Sequence, residues 1–109
     1  MAKLEDFDTT PEIHYKNGVA TQVVTYCVYN SKDLARSEVT LKSGGEITEY
    51  HEDPEHGDWD EPLVVSRKRL EDLAKANPHC IPALHVLGKT KAQVEKILAD
   101  RKITLVKHL

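Results

Sequence analysis

EIHYKNGVATQVVTYCVYN, residues 12–30, decides the fold, because two β-prone runs flank a dipeptide that turns the chain back on itself. Asn17 and Gly18 tolerate the positive φ angles of a type I′ turn, the connection that suits the twist of a tight hairpin. The run after the turn includes Val23 and Val24 and is apolar on both faces. The stretch therefore predicts a hairpin whose second strand is central in a sheet and covered on both sides.

A second hairpin is predicted over SEVTLKSGGEITEYHE, residues 37–52, with its turn at residues 43–45. Val39 and Leu41 share one face of its first strand. This alternation indicates one buried and one solvated face. Through residue 50, the pattern predicts an antiparallel meander of three or four strands.

Helical periodicity replaces the strand pattern in the second half, where we predict helices at residues 67–76, 82–87 and 91–100. Ser66 is the N-cap of the first helix. Gly88 follows the short second helix, at the position that adopts left-handed geometry. Thr90 and Gln93 form the capping box of the third helix.

The element order predicts an α+β fold, with a small antiparallel β-meander of three to five strands and two or three C-terminal helices on one face. Alternation of Ile103 and Leu105 predicts that a last strand returns to this sheet. We expect a flexible tail at residues 1–10 and a single α+β domain over residues 11–109, since 109 residues fit one domain.

The sequence contains no apolar run near the ~20 residues that cross a bilayer. Its amino terminus, MAKLEDFDTT, lacks the apolar region of a secretory signal. We therefore expect no membrane interaction and a cytoplasmic location.

The charges are divided unevenly along the chain. Residues 1–62 carry 5 Lys and Arg against 14 Asp and Glu, whereas residues 63–109 carry 10 against 4. Such a dipole can steer charged partners. It would also allow head-to-tail pairing of copies, so a homo-oligomer is one expectation.

The acidic segment HEDPEHGDWDEP, residues 51–62, holds six carboxylates and the single tryptophan of the chain. Trp59 can bury as an aromatic anchor while the carboxylates meet a basic partner surface. The rival interpretation is that Trp59 folds back over the sheet edge as part of the core. Our leading hypothesis is a non-catalytic protein-binding or regulatory module, with partner binding assigned to Glu55, Asp58, Trp59, Asp60 and Glu61.

A metal site is another hypothesis for the same segment, because His51, His56 and Asp58 are residue types that zinc accepts. The two histidines stand five residues apart with Pro54 between them, which is not the H-E-x-x-H spacing. Apart from zinc, we expect no cofactor. No nucleophile elbow or P-loop occurs, so the sequence leans against an enzyme.

Nucleic-acid binding is the alternative hypothesis for the basic second half. The three predicted helices can be arranged as a helix-turn-helix unit whose last helix reads DNA. The residues assigned to this role are Lys89, Lys91, Gln93, Lys96, Arg67 and Arg69. The acidic net charge of −3 opposes such binding.

Overall fold

A computed structural model of the chain describes residues 10–29, 33–52, 63–76 and 80–109. The strands are β1 (Glu12–Lys16), β2 (Val19–Tyr29), β3 (Asp33–Leu41), β4 (Ile47–Glu52), β5 (Leu63–Val64) and β6 (Lys107–His108). The helices are α1 (Arg67–Ala76), α2 (Ala83–Val86) and α3 (Lys91–Asp100). No helix within the described ranges is both long and apolar enough to span a bilayer.

The strands form one sheet in the order β5-β4-β3-β2-β1-β6. Successive strands from β1 to β5 pair antiparallel, which confirms the predicted meander. β6 instead pairs parallel with β1. The α+β class is therefore confirmed. The described sheet has six strands, against the three to five predicted, because a two-residue strand pairs at each edge.

The first hairpin turns as the sequence predicts. Asn17 has a φ of 55° and Gly18 a φ of 83°, and a type I′ turn requires positive φ at both central residues. β2 then pairs with β1 on one side and β3 on the other, so Val23 lies between Ile13 and Val39. The central position of β2 is confirmed.

The core lies between one face of the sheet and the three helices. The sheet contributes the row Ile13, Val23 and Val39, all of them buried. The helices and their connections contribute Leu70, Ile81, Val86, Leu87, Val94 and Leu98. Because burial of one such side chain stabilises the fold by about 1.5–3 kcal/mol, this shared cluster holds the helices on that face.

Both predicted helix caps are present. The Ser66 hydroxyl accepts a hydrogen bond from the backbone N–H of Arg69 at 3.2 Å and so caps α1. The Thr90 hydroxyl accepts from the backbone N–H of Gln93 at 3.3 Å. In return, the Gln93 side-chain oxygen accepts from the Thr90 N–H at 3.0 Å, which completes the capping box of α3.

The connection between α2 and α3 is fixed to the sheet by backbone hydrogen bonds. Gly88 donates to the carbonyl of Ala20 at 2.7 Å, and Ala20 donates to the carbonyl of Lys89 at 2.8 Å. Gly88 has a φ of 83°, as predicted for the residue after α2. These hydrogen bonds therefore fix the start of α3 relative to β2.

The last strand lies later in the chain than predicted. Lys102 adopts a φ of 59° after α3, and the Ile103 N–H returns to the Leu98 carbonyl at 2.9 Å. These residues therefore turn against the helix instead of extending. The chain joins the sheet where Lys107 donates to the Pro11 carbonyl at 2.9 Å.

Candidate binding surface

The acidic segment predicted to bind a partner lies largely outside the described residues. This applies to Glu55, His56, Asp58, Trp59, Asp60 and Glu61. For His51 the structure gives the backbone position, which is in β4. The protein-binding and metal hypotheses that rest on this segment stay predictions. Within the described ranges, no three or more His, Cys, Asp and Glu residues gather closely enough to hold a metal ion.

Two of the residues assigned to nucleic-acid contacts lie on α1, and each pairs with a carboxylate. Arg69 donates to both carboxylate oxygens of Glu49 on β4, at 2.8 and 2.9 Å. These hydrogen bonds, and then the attraction of the Glu49 charge, raise the pKa of Arg69 above its usual value. Arg67 pairs with Glu71 one turn along the helix, at 3.3 Å. The ion pair of Arg69 with Glu49 therefore connects α1 to the sheet.

The other four assigned residues lie at α3 or just before it. Lys91 pairs with Glu95 at 4.0 Å. The Gln93 side-chain oxygen is engaged in the capping box, so base reading by this group would compete with the cap. Lys89 and Lys96 are exposed. Of these four residues, Lys89 is the one that lines the depression described next.

The helical groove, as we name it, is an open depression of about 530 Å³ bounded by all three helices and their connections. Leu84, Leu87 and Ile97 supply its apolar lining. Its polar lining consists of Arg67, His85, Lys89, Asp100 and Arg101. The groove thus sets an apolar floor among three basic residues and one carboxylate.

The edge groove is a smaller depression of about 310 Å³ beside β5. Its apolar lining is Ile47, Val64, Val65 and Leu84, and it is completed by Gly45, Glu46 and Arg67. Because Leu84 and Arg67 line both depressions, the two grooves meet. Together they form one surface from the sheet edge at β5 to the end of α3.

A polar network occupies the sheet face opposite the helices. Glu12 accepts hydrogen bonds from His14 at 3.0 Å and from Tyr26 at 3.2 Å. Arg36 donates to Tyr26 at 3.3 Å and pairs with Glu38 at 2.9 Å. Among the described side chains, no buried nitrogen or oxygen lacks a hydrogen-bond partner. The network therefore satisfies its own polar groups, as a structural network does.

Tyr15 and His108 join the two ends of the described chain on the helix side of the sheet. The Tyr15 hydroxyl and His108 Nδ1 share a hydrogen bond at 2.8 Å. Burial, and next the nearby charge of Glu95, raise the pKa of Tyr15 above 10.0. β1 and β6 also pair through their backbones. The side-chain hydrogen bond between Tyr15 and His108 adds a second connection between the two strands.

Comparison with family models, with curated proteins and with solved structures finds no match for this chain.

Sequence reasoning missed the apolar part of the candidate surface. It placed Leu84 and Leu87 on a short helix and Ile97 on the apolar face of α3, but gave them no role beyond packing. Sequence periodicity identifies such residues only as helix-face residues. That these residues and Val64 line adjoining grooves depends on how the three helices and β5 pack together.

Proposed function

We propose that this protein is a non-catalytic protein-binding module and that the joined helical and edge grooves bind a segment of the partner. The observation that carries the proposal is that Arg67 and Leu84 line both grooves. Together the two grooves therefore offer apolar contacts beside three cations, Arg67, Lys89 and Arg101, and two carboxylates, Glu46 and Asp100.

The shape of this surface suits a polypeptide segment. Small-molecule sites are clefts of about 300–1,000 Å³ that enclose most of their ligand. The two grooves have volumes in that range, about 530 and 310 Å³, but they are open, and Arg67 and Leu84 line both of them. An extended segment can follow such a surface and place successive side chains in it.

The charges of the helical groove favour an acidic segment. Arg67, Lys89 and Arg101 line it together with one carboxylate, Asp100. Carboxylates of a partner would meet this positive rim while apolar side chains contact Leu84 and Ile97. This partner chemistry is opposite to the basic surface that the acidic segment 51–62 would bind. The use of Trp59 as a second binding element stays a separate prediction.

Selection from a displayed library of random dodecapeptides tests the proposal on the full chain. We expect enriched peptides to combine Asp or Glu with apolar residues. The groove variant Arg67→Glu/Lys89→Glu should weaken their binding by about tenfold or more, as loss of anchoring contacts does. Fluorescence polarisation with a labelled peptide measures the change.

The matched control is Lys91→Glu/Lys96→Glu. It changes the net charge by the same amount as the groove variant, but at residues that line neither groove. Like Arg67 in α1, Lys91 is the first residue of its helix. It should alter peptide affinity by less than about threefold, since distant exposed charges are screened. Failure to enrich any peptide, or equal weakening by both variants, would overturn the proposal.

Nucleic-acid binding is the second candidate, favoured by the presence of Lys89 and Arg67 on one surface. It predicts that a labelled oligonucleotide binds with a steep salt dependence. It also predicts that Lys91→Glu/Lys96→Glu weakens this binding, whereas the groove hypothesis predicts that this variant has little effect on peptide binding. Salt-sensitive oligonucleotide binding that this variant weakens, together with failure to enrich any peptide, would favour nucleic-acid binding over the groove hypothesis.

A further inference from the structure

We infer that the partner's segment binds as an additional β-strand along β5, at the outer edge of the described sheet, an inference that rests on the proposed function. The predicted occupant is an extended stretch of a partner protein in which apolar residues alternate with polar ones and Asp or Glu follows. It would pair with β5 and fill the edge groove, and its carboxylates would reach the helical groove.

The backbone of β5 leaves one hydrogen-bonding residue directed outward. β5 is the outermost strand of the described sheet and pairs with β4 alone. The Val65 N–H donates to the Ile47 carbonyl at 3.0 Å. Because successive residues of an antiparallel strand direct their polar groups to opposite sides, the N–H and C=O of Val64 point away from β4. They form a template for an incoming strand.

The side chains at this edge are apolar and accessible. Leu63 is 69% exposed and Val64 is 65% exposed. Beside them, the edge groove presents Ile47, Val65 and Leu84. A strand paired with Val64 directs alternate side chains to the helix side of the sheet, where this groove lies. Backbone pairing and side-chain burial thus act on the same bound segment.

The positions of the cations predict where apolar and acidic residues lie along the partner's segment. Arg67 lies where the edge groove meets the helical groove, and Lys89 and Arg101 line the groove beyond it. The part of the segment that pairs with β5 should therefore be mainly apolar. Carboxylates belong at the end that passes Arg67, since there they meet opposite charges.

The opposite edge of the described sheet lies outside both grooves. Leu105 and Leu109 are exposed near β6. However, neither groove contains a residue of β6, and His108 already bonds with Tyr15. Both described grooves lie away from β6, and the edge groove places apolar residues and Arg67 beside β5.

N-methylation of the selected dodecapeptide, one backbone nitrogen at a time, tests the strand geometry without changing the protein. An added strand donates through alternate residues only. Since Val64 supplies one outward carbonyl, binding should fall by about tenfold at one position near the apolar part and change little at its neighbours. Uniform tolerance of N-methylation, with binding still sensitive to Arg67→Glu/Lys89→Glu, would overturn the strand inference and leave the proposed function standing.

Val64→Pro tests the same geometry from the protein side. It removes the outward N–H, and an edge strand tolerates proline where the N–H is not used in the sheet. The control Val64→Thr keeps that N–H. We expect Val64→Pro to weaken peptide binding by about tenfold and Val64→Thr by less than about threefold, with urea unfolding confirming that both variants fold. Equal effects of the two variants would contradict strand addition.

A second copy of the chain is the rival occupant of this edge. Sedimentation equilibrium of the protein without peptide identifies it. We expect a monomer. A dimer that Val64→Pro dissociates and Val64→Thr preserves would place another copy at β5 and overturn the partner segment.

Discussion

The guanidinium of Arg69 on α1 donates two parallel hydrogen bonds to the carboxylate of Glu49 on β4. Glu49 is 7% exposed at the side chain, whereas Arg69 is 51% exposed. The bidentate geometry fixes both position and direction. This pair holds the first turn of α1, and with it Arg67 of the binding surface, at a set place above the sheet.

Arg69→Ala should lower the free energy of unfolding by about 2 kcal/mol, because it removes two charge-assisted hydrogen bonds from a buried carboxylate. The full cost of breaking a buried pair is not expected, since Arg69 itself is half exposed. Arg67→Ala is the matched control. Its pair with Glu71 is exposed, so its loss should cost less than about 0.5 kcal/mol. Urea unfolding measures both, and equal costs would contradict the structural role of Arg69.

Tyr15→Phe should change stability in a pH-dependent way. Because burial and Glu95 raise the pKa of Tyr15 in the folded state, the folded protein holds the phenolic proton more tightly than the unfolded chain does. The resulting stability is fully present below pH 10 and is lost as the pH rises through the folded pKa. Urea unfolding between pH 8 and pH 11 should show a smaller decline for Tyr15→Phe than for the wild type.

The same variant should lower stability near pH 8 by about 1 kcal/mol, since it removes the hydrogen bond with His108. Tyr26→Phe provides a comparison on the other face of the sheet. An unchanged alkaline decline in Tyr15→Phe would contradict the assignment of that decline to Tyr15.

Gly88→Ala should destabilise the protein by about 1 kcal/mol through its backbone. The residue has a φ of 83°, and an added Cβ would lie 3.8 Å from Leu41, which is ordinary contact. Gly44→Ala is the control, since its φ is not in the left-handed region and no atom lies within 4 Å of the added Cβ. Thermal unfolding that shifts equally for both variants would contradict this explanation.

Local signals predicted much of the fold. The positive φ values at Asn17 and Gly18, the cap at Ser66 and the capping box at Thr90 depend on neighbouring residues, so the sequence alone indicates them. The strand predicted around Ile103 and Leu105 depends on where the chain leaves α3. Because the chain turns at Lys102 in left-handed geometry, the strand begins only at Lys107. The alternation of apolar and polar residues does not indicate this shift.

The candidate surface depends on contacts between distant residues and was therefore harder to predict. The sequence identified Arg67 and Lys89 as cations. It did not show that Leu84 lines the same groove as these two residues, or that Arg69 pairs with Glu49 twenty residues earlier. The position of β5 at the edge of the described sheet also depends on distant contacts, because it results from the pairing of all the strands of the meander. Charge is visible in sequence, whereas charge placed beside an apolar groove requires the fold.

Trp59 provides the test of the remaining sequence-based prediction, since it is the single tryptophan and the whole intrinsic tryptophan emission belongs to it. If Trp59 is an anchor for a partner, its emission in the isolated protein should be quenched by acrylamide nearly as well as that of a free tryptophan, and Trp59→Ala should cost less than about 0.5 kcal/mol of stability. If it is part of the core, its emission should be shifted to the blue, and Trp59→Ala should cost about 3–5 kcal/mol. A blue-shifted emission that persists in the native protein and disappears in urea would contradict the anchor hypothesis. The groove at β5 and α3 would then be the surface on which the proposed binding function rests.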